Sequence, residues 1–343
     1  MEKKNLTRAS RELFRRNPDE CYESLAALSN YCRSKREQSV DVWQPPINLV
    51  PEAIDGGLGI RVGSDGACLL NDWSFSQLCK CAGVGKETVN RLSPATAARV
   101  FSETLPHGNK PMQLYRQENV IRSIHGTNYT RLHDADLVAM LQEFAVDFQP
   151  PQKGMNGATG LYAGEQDLFC FLIDPNGWAE IEGEAFAPGF FIWNSEVGKR
   201  SIGIETFWFQ AVCQNHIVWD ATEVVEFTRK HTSSVHSALV AIRRIIEGLV
   251  AKRDERRAGF VEVIGKAMQT KLGDDADEVL KTLAKHGIGR SLAKLALESA
   301  QQQGRFTIFS VVDALTRISG QIVNAGDRTD ADEKAGALLA LAT

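Results

Sequence analysis

Basic side chains are concentrated in one segment of the chain, between residues 229 and 257. The segment has eight lysines and arginines against three acids, which is a local charge of +5. The basic residues are Arg229, Lys230, Arg243, Arg244, Lys252, Arg253, Arg256 and Arg257. Because lysine and arginine neutralise the phosphates of nucleic acids, the segment is a candidate DNA-binding surface. The alternative is a solvated helix face without a partner.

Aromatic residues are dense just upstream of that segment, on predicted strands. They are Phe186, Phe190, Phe191, Trp193, Phe207, Trp208, Phe209 and Trp219. Aromatic rings on a sheet next to basic side chains can bind single-stranded DNA, because unpaired bases stack on them. Alternation along a strand places Phe191 opposite Phe190 and Trp193, so some rings must lie outside the main core. Those rings are expected to meet another layer of the protein, a partner or a ligand.

A helix-turn-helix pattern at residues 74–92 is a second candidate for DNA binding. The small residue Cys79 is followed four positions later by Gly83 and then by the apolar Val84. The turn needs a residue with positive φ, and a small residue lets two helices cross at a steep angle. If residues 78–92 bind duplex DNA, the side chains in the major groove are Lys86, Glu87, Asn90 and Arg91. A structural helical corner has the same pattern, and this interpretation is favoured.

Catalytic and metal-binding patterns are weak in this sequence. Glu196 and its neighbours could act on a nucleotide or a nucleic acid, but Ser195 is not in a nucleophile elbow that would activate it. Cys213 and His216 have the spacing of one zinc-ligand pair, but no second compact pair follows. The sequence therefore predicts no cofactor and no metal, and it favours a protein that is not an enzyme. An enzyme acting on nucleotides or nucleic acid remains the third hypothesis.

The composition excludes several protein classes. The chain has 343 residues and a net charge of −4, so overall charge does not attract it to nucleic acid. The longest apolar stretch, Leu168–Ile173, is far below the roughly 20 residues of a membrane span. The charged N-terminus does not resemble a secretion signal. Seven cysteines without a C-x-x-C pair are expected to be reduced. These features predict a cytoplasmic protein with no membrane partner.

The periodicity of apolar residues predicts an α+β fold in three regions. Residues 1–150 form a mixed N-terminal region that begins with a helix over residues 7–37. Residues 151–225 have the densest strand signal and form a central antiparallel β core. Residues 226–343 form a helical region that begins with one long helix or two in line. Further helices are predicted over residues 274–285, 290–303 and 307–318, and from near Asp330.

Three segments have motif-like sequences, at residues 120–134, 189–198 and 212–215. Their characteristic residues are Arg122, Tyr129, Arg131, Asn194, Ser195, Glu196, Gly198, Cys213 and Asn215. The segments resemble the phage- and plasmid-associated domain-of-unknown-function 932 family, which has the patterns R-A-x-x-S-x-x-Y-x-x-L-D, G-F-x-x-x-N-S-E-V-G and V-C-x-N-G. His216 replaces the usual last glycine. The resemblance implies a protein of mobile DNA in a bacterial host. It assigns no catalytic residue, because the family's activity is unknown.

The leading hypothesis is a DNA-associated protein of a phage, plasmid or other mobile element. It binds single-stranded DNA, in preference to duplex, during replication or recombination, by annealing or protection. The sequence leaves open whether the chain forms a homo-oligomer. The turn at residues 194–198 is expected to be structural. Asn194 and Ser195 would bond their own backbone, Gly198 would permit the turn, and Glu196 would pair with Arg122 or Arg200.

Overall fold

The computed structural model describes residues 14–54, 57–63, 66–153, 159–211, 215–218, 227–302 and 306–342. This part of the chain has two β-sheets, several helices between and around them, and a helical C-terminal region. The sheet in the middle of the chain is antiparallel. The predicted α+β fold class is therefore confirmed.

The first half of the chain forms a mixed six-stranded sheet with helices on it, here called sheet B. The elements of this half of the chain are β1 (Glu20–Cys21), α1 (Leu25–Glu37), β2 (Ser39–Gln44), β3 (Leu49–Ile54), β4 (Gly57–Val62), β5 (Ala67–Leu70), α2 (Asp72–Ala82), α3 (Lys86–Val89), α4 (Pro94–Thr104), β6 (Met112–Gln117), β7 (Val120–His125) and α5 (Asp134–Phe144). Strand β1 belongs to the second sheet, and β2–β7 form sheet B. The strand order is β2-β6-β7-β5-β4-β3, and only the β5–β7 pair is parallel. The hydrophobic core on this sheet includes Phe75 and Leu78 of α2 and Phe101 of α4.

The second half forms an eight-stranded antiparallel sheet, here called sheet A, and the C-terminal helices. Its elements are β8 (Leu161–Ala163), β9 (Leu168–Ile173), β10 (Ala179–Ile181), β11 (Glu184–Asn194), β12 (Ile202–Gln210), β13 (Asn215–Val218), β14 (Phe227–Arg229), α6 (Ser237–Ala251), α7 (Arg253–Gln269), α8 (Ala276–Lys285), α9 (Arg290–Gln302), α10 (Ile308–Ser319) and α11 (Ala325–Gly336). The order is β1-β8-β9-β11-β12-β13, with β10 beside β11 and β14 beside β12.

Both faces of sheet A are buried. Phe190 and Ile192 of β11 pack with α1, α5 and α6, while Phe191 and Trp193 belong to a cluster on the opposite face. A strand that is covered on both faces needs apolar residues at consecutive positions. This requirement accounts for the uninterrupted apolar run of β9. The aromatic residues on the second face are buried too, in a cluster made by strands of sheet A and Ala325 of α11.

The C-terminal helices pack on the β10 end of sheet A. Phe260 of α7 stacks on Trp208 with 3.8 Å between ring centroids. Helix α11 approaches β13 so closely that a Cβ atom at Gly336 would lie 1.7 Å from the carbonyl oxygen of Val218. Only glycine allows this approach, because any side chain would collide with the strand backbone.

Several element boundaries differ from the sequence expectation. The helix predicted over residues 7–37 begins at Leu25, where the Ser24 side chain caps it by accepting a bond from the Ala27 amide. Residues 7–13 lie outside the described part of the chain. The long C-terminal stripe is two helices, α6 and α7, that meet at Lys252. A short strand, β14, follows residue 222, where no strand was expected.

The cysteines and the helix lengths of the described residues agree with the sequence expectations of reduced thiols and no membrane span. The described cysteines are all free thiols. None of the helices in the described ranges has the length and apolar character needed to cross a bilayer.

Candidate functional site

The motif at residues 194–198 forms the turn after β11, the longest strand of sheet A. Gly198 has φ of 73°, which only glycine adopts without strain, so its predicted role is confirmed. The Ser195 hydroxyl accepts a bond from the backbone amide four positions later at 2.9 Å, which is also the predicted local bonding. Asn194 differs from the prediction. Its side-chain amide donates to the carbonyl of Leu132 at 2.9 Å, far away in the sequence.

The carboxylate of Glu196 is buried and contacts four polar groups. Oε2 lies 3.0 Å from Nη1 of Arg122 and 3.3 Å from the hydroxyl of Tyr115. Oε1 lies 3.0 Å from the backbone amide of Asp134 and 3.3 Å from Nδ1 of His133. Burial raises the pKa of Glu196, but the hydrogen bond from His133 and the charge of Arg122 outweigh it and lower the pKa below its usual range. Glu196 is therefore ionised at neutral pH.

The backbone carbonyl of Glu196 is held by two further side chains. The hydroxyl of Tyr129 donates to it at 2.8 Å, and Arg131 donates to it from Nη1. Arg131 also forms an ion pair with Asp41, with 2.7 Å between Nη2 and Oδ1. Its guanidinium lies 3.6 Å from the centroid of the Tyr115 ring. Strands of sheet B are thus joined to the turn of sheet A.

We call this cluster the Glu196 centre. It consists of Tyr115, Arg122, Tyr129, Arg131, His133, Asp134, Asn194 and Glu196. Of the two partners predicted for Glu196, Arg122 is the observed one, whereas Arg200 pairs with Asp167 and Asp330. Both carboxylate oxygens of Glu196 have hydrogen-bond partners, and its side chain is 2% exposed. Its geometry is that of a structural link between the two sheets. The acid–base role in the enzyme hypothesis gains no support from this arrangement.

The third motif is described only in part. Cys213 lies outside the described residues. Asn215 begins β13, and its amide donates to Oδ1 of Asp313 at 2.8 Å, which ties sheet A to α10. His216, where the resembled family has glycine, stacks on Phe171 with 4.5 Å between centroids. Burial lowers the pKa of His216 well below its usual value, so the ring is neutral.

Three rings form a stack behind the turn at Gly198. Tyr129 lies between His125, at 3.6 Å between centroids, and His231, at 5.4 Å. A Cβ atom at Gly198 would lie 2.6 Å from Cε1 of His125, so the turn and the stack fit closely. Neither ring nitrogen of His231 has a hydrogen-bond partner among the residues that the structure describes. Burial lowers the pKa of His231 to about 4.

The low pKa of His231 predicts a loss of stability in acid. Below the unfolded-state pKa of about 6.5 only the unfolded chain takes up this proton, so unfolding is favoured as pH falls from 6.5 towards 4. The His231→Phe variant keeps the stacked ring and removes the titration. Between pH 7.5 and pH 5 the natural protein should therefore lose about 2 kcal/mol more than the variant. Urea unfolding at both pH values measures this difference. Equal losses would show that His231 is not held neutral.

The basic residues between 229 and 257 differ widely in exposure. Arg253 forms an ion pair with the buried Asp174, and Arg256 is itself buried. Arg229 and Arg257 are half-buried, and the exposed members are Lys230, Arg243, Arg244 and Lys252. Arg243 pairs with Glu247 at 2.9 Å, one helical turn away. The segment therefore presents only part of its predicted charge to a ligand.

The aromatic residues expected to stack on bases are not available for this role. Seven of the eight are described, and none of them is more than 8% exposed: Phe186, Phe190, Phe191, Trp193, Phe207, Trp208 and Phe209. Trp219 lies outside the described residues. The prediction of an aromatic platform is wrong for these seven rings, because helices and neighbouring strands cover both faces of sheet A.

The corner at residues 74–92 has the predicted turn but not the predicted second helix. Gly83 closes α2 with φ of 68°, as expected. Helix α3, however, is a single turn of four residues. Ser93 and Pro94 start a new helix directly after it, and proline disfavours helical backbone in the residue before it. The element is therefore a helical corner, in agreement with the favoured interpretation.

The proposed contact residues of that corner have structural partners. The side chain of Asn90 is buried and makes two bonds to the backbone of Phe14, at 2.7 and 3.0 Å. Lys86 pairs with Asp72 at 2.7 Å, and Nε of Arg91 donates to the backbone carbonyl of the residue four positions earlier. The hypothesis of duplex binding through residues 78–92 thus loses its geometric basis.

Two full-length helices joined by a glycine turn occur elsewhere, in α8 and α9. The amide of Gly287 donates to the carbonyl of Ala284 at 3.1 Å, and the amide of Ile288 donates to the carbonyl of Leu283 at 3.1 Å. Gly287 has φ of 73°, so these two bonds form a Schellman turn. Helix α9 continues for 13 residues. We call residues 276–302 the basic hairpin. The sequence signal for this turn is a glycine followed by an apolar residue, the same pattern as Gly83 and Val84.

The basic hairpin exposes four cations near its turn. Residues 279–297 contain no acid, and their four cations are all exposed: Lys281, Lys285, Arg290 and Lys294. None of these four forms an ion pair with a described residue. Lys281 and Arg290 line the same groove between the two helices, and Lys294 lies one turn after Arg290.

The described residues contain no group of three or more His, Cys, Asp or Glu side chains that could hold a metal ion. Comparison of the chain with family models, with curated proteins and with solved structures gives no match. The resemblance to the phage- and plasmid-associated family therefore remains a prediction.

Proposed function

We propose that the protein binds duplex DNA and that the basic hairpin is its binding element. The observation that carries this proposal is the exposed second helix, α9, after a glycine turn, with four exposed cations on the two helices, none of them in an ion pair with a described residue. In helix-turn-helix proteins the second helix lies in the major groove and the first crosses the phosphate backbone. By this geometry Lys281 and Lys285 of α8 contact phosphates, and the first turns of α9 meet base edges.

The exposed residues of α9 support contact with base edges. Arg290, Ser291 and Lys294 are exposed polar residues near its start, and arginine and lysine donate to guanine in the major groove. Leu295 is 52% exposed on the same helix, and an apolar side chain there can meet a thymine methyl group. Ala293 and Ala296 of the same helix are buried, which fixes the rotation of the helix.

Duplex binding replaces single-strand binding as the leading hypothesis for a physical reason. Single-strand binding needs exposed aromatic rings, and the described rings of sheet A are buried. A protein of a phage, plasmid or other mobile element remains our proposal for the biological setting, and it rests on the motif resemblance. A duplex-binding protein fits replication or recombination as well as a single-strand binder does.

Gel-shift titrations of the natural protein test the proposal. Duplex and single-stranded DNA of equal length are compared at two salt concentrations. The two proposed phosphate contacts, Lys281 and Lys285, predict that the logarithm of the duplex affinity falls with the logarithm of salt with a slope of about −2. Duplex should bind more tightly than either single strand. Tighter binding of single strands would contradict the proposal and would favour the hypothesis of single-strand binding through residues 229–257.

A further inference from the structure

An open cleft of about 310 Å³ lies between the two sheets, next to the Glu196 centre. Its walls come from α1, the β6–β7 hairpin and the segment after β8, and its volume is in the range of small-molecule sites. Lys35 and Arg122 line the cleft together with the amide side chains of Asn17, Asn71 and Gln117. Both cations are buried, at 7% and 5% exposure.

Lys35 carries a buried charge with little compensation. Its Nζ donates to the carbonyl oxygen of Gly164 at 3.2 Å and lies 5.1 Å from the centroid of the Tyr31 ring. It forms no ion pair with any residue in the described ranges. Burial and the neighbouring Arg122 lower the pKa of Lys35 to about 8, so it is still charged at neutral pH. A buried ammonium ion with one neutral acceptor is costly unless a further acceptor binds it.

The charges at the floor of the cleft are not all paired. Arg122 is neutralised by Glu196, 3.0 Å away. Burial and the charge of Glu196 raise the pKa of Asp134 above its usual range. Lys35 is therefore the buried cation of the cleft that has no ion-pair partner among the described residues. Glu20 and Glu118, at the rim, disfavour ligands that carry several negative charges.

A buried carboxylate oxygen in the cleft has no hydrogen-bond partner among the described residues. Oε1 of Glu165 accepts from the side-chain amide of Asn17 at 2.7 Å, but its Oε2 has no hydrogen bond within the described residues. A ligand with a hydroxyl or amino group could donate to this oxygen. From the two unmatched groups we infer that the cleft binds a small molecule with one oxyanion, placed at Lys35, and one donor, placed at Glu165.

Thermal melts of the natural protein and Lys35→Met test this inference. The probes are sodium phosphate and sodium acetate, each compared with chloride at the same ionic strength. The melting temperature of the natural protein should rise with phosphate, with acetate or with both, and the pattern identifies the oxyanion. Methionine keeps the length of the side chain without its charge. The variant should melt about 2 °C or more above the natural protein without ligand, and it should not respond to either anion.

Two results would overturn the inference. The first is a natural protein that responds to phosphate and acetate no more than to chloride. The second is a Lys35→Met variant that melts below the natural protein or does not fold, because Lys35 would then have a structural partner. The inference is independent of the proposed function. Lys35→Met should bind duplex DNA as the natural protein does, so either proposal can fail without the other.

Discussion

The Glu196→Gln variant is expected to lose about 3–5 kcal/mol of folding free energy. The substitution leaves Arg122, whose side chain is 7% exposed, without its counter-charge. The NH₂ group of the glutamine can only donate a hydrogen bond. Both carboxylate oxygens of Glu196 accept from N–H groups that can only donate, so one of these two bonds must be lost. One position meets Nη1 of Arg122 and the other meets the backbone amide of Asp134. A loss of this size is a large part of the 5–15 kcal/mol that stabilises a typical protein.

A matched control separates this effect from loss of a charge alone. Glu180→Gln makes the same chemical change at an exposed position of β10 and should change stability by no more than about 0.5 kcal/mol. The double variant Arg122→Met and Glu196→Gln should lose less than the sum of the single variants, because no unpaired charge remains. If Glu196→Gln melts like the natural protein and loses a biochemical activity instead, Glu196 is a functional acid–base group.

Charge reversal on the basic hairpin is expected to weaken duplex binding by about 100-fold or more. The variant combines Lys281→Glu, Arg290→Glu and Lys294→Glu. Each change replaces attraction to a phosphate or a base edge by repulsion, and the slope of affinity against salt should flatten by about 1, because Lys281 is the phosphate contact among the three. The three positions are exposed, so folding should be nearly unaffected, as circular dichroism and thermal melts can verify.

Local signals predicted the fold class and the turn chemistry, but not which turn leads to an exposed helix. Gly83 and Gly287 have the same left-handed conformation, and an apolar residue follows each. The difference lies after the turn. After Gly83, Ser93 and Pro94 start a new helix ten and eleven residues later. No proline interrupts α9. The sequence contained this difference, and it could have favoured the basic hairpin.

The Glu196 centre could be predicted only in part. The sequence predicted that Glu196 pairs with Arg122 or Arg200, since a charged residue in a structural turn needs a partner, and the structure shows the pair with Arg122. Tyr115 and His133 had no sequence signal, because their contacts depend on how sheet B lies against sheet A. Lys35 was likewise one basic residue in a charged helix. Its burial follows from the packing of α1 below sheet A and not from any local pattern.

The aromatic platform was mispredicted because alternation does not reveal whether a second face is solvated. Phe190 and Phe191 lie on opposite faces of β11, and both are fully buried. In a sheet covered on both sides the second set of rings packs against another layer of the protein. The number of layers depends on long-range packing, which the spacing of residues in one strand does not determine.

The most direct test of duplex binding compares two charge-reversal variants by fluorescence anisotropy with a labelled duplex. The first is the hairpin variant, and the second combines Lys230→Glu, Arg244→Glu and Lys252→Glu, three exposed positions outside the hairpin. Both change the net charge equally. Our account predicts that the hairpin variant loses about 100-fold or more in affinity while the second variant stays much closer to the natural protein. A hairpin variant that binds the duplex like the natural protein would contradict it.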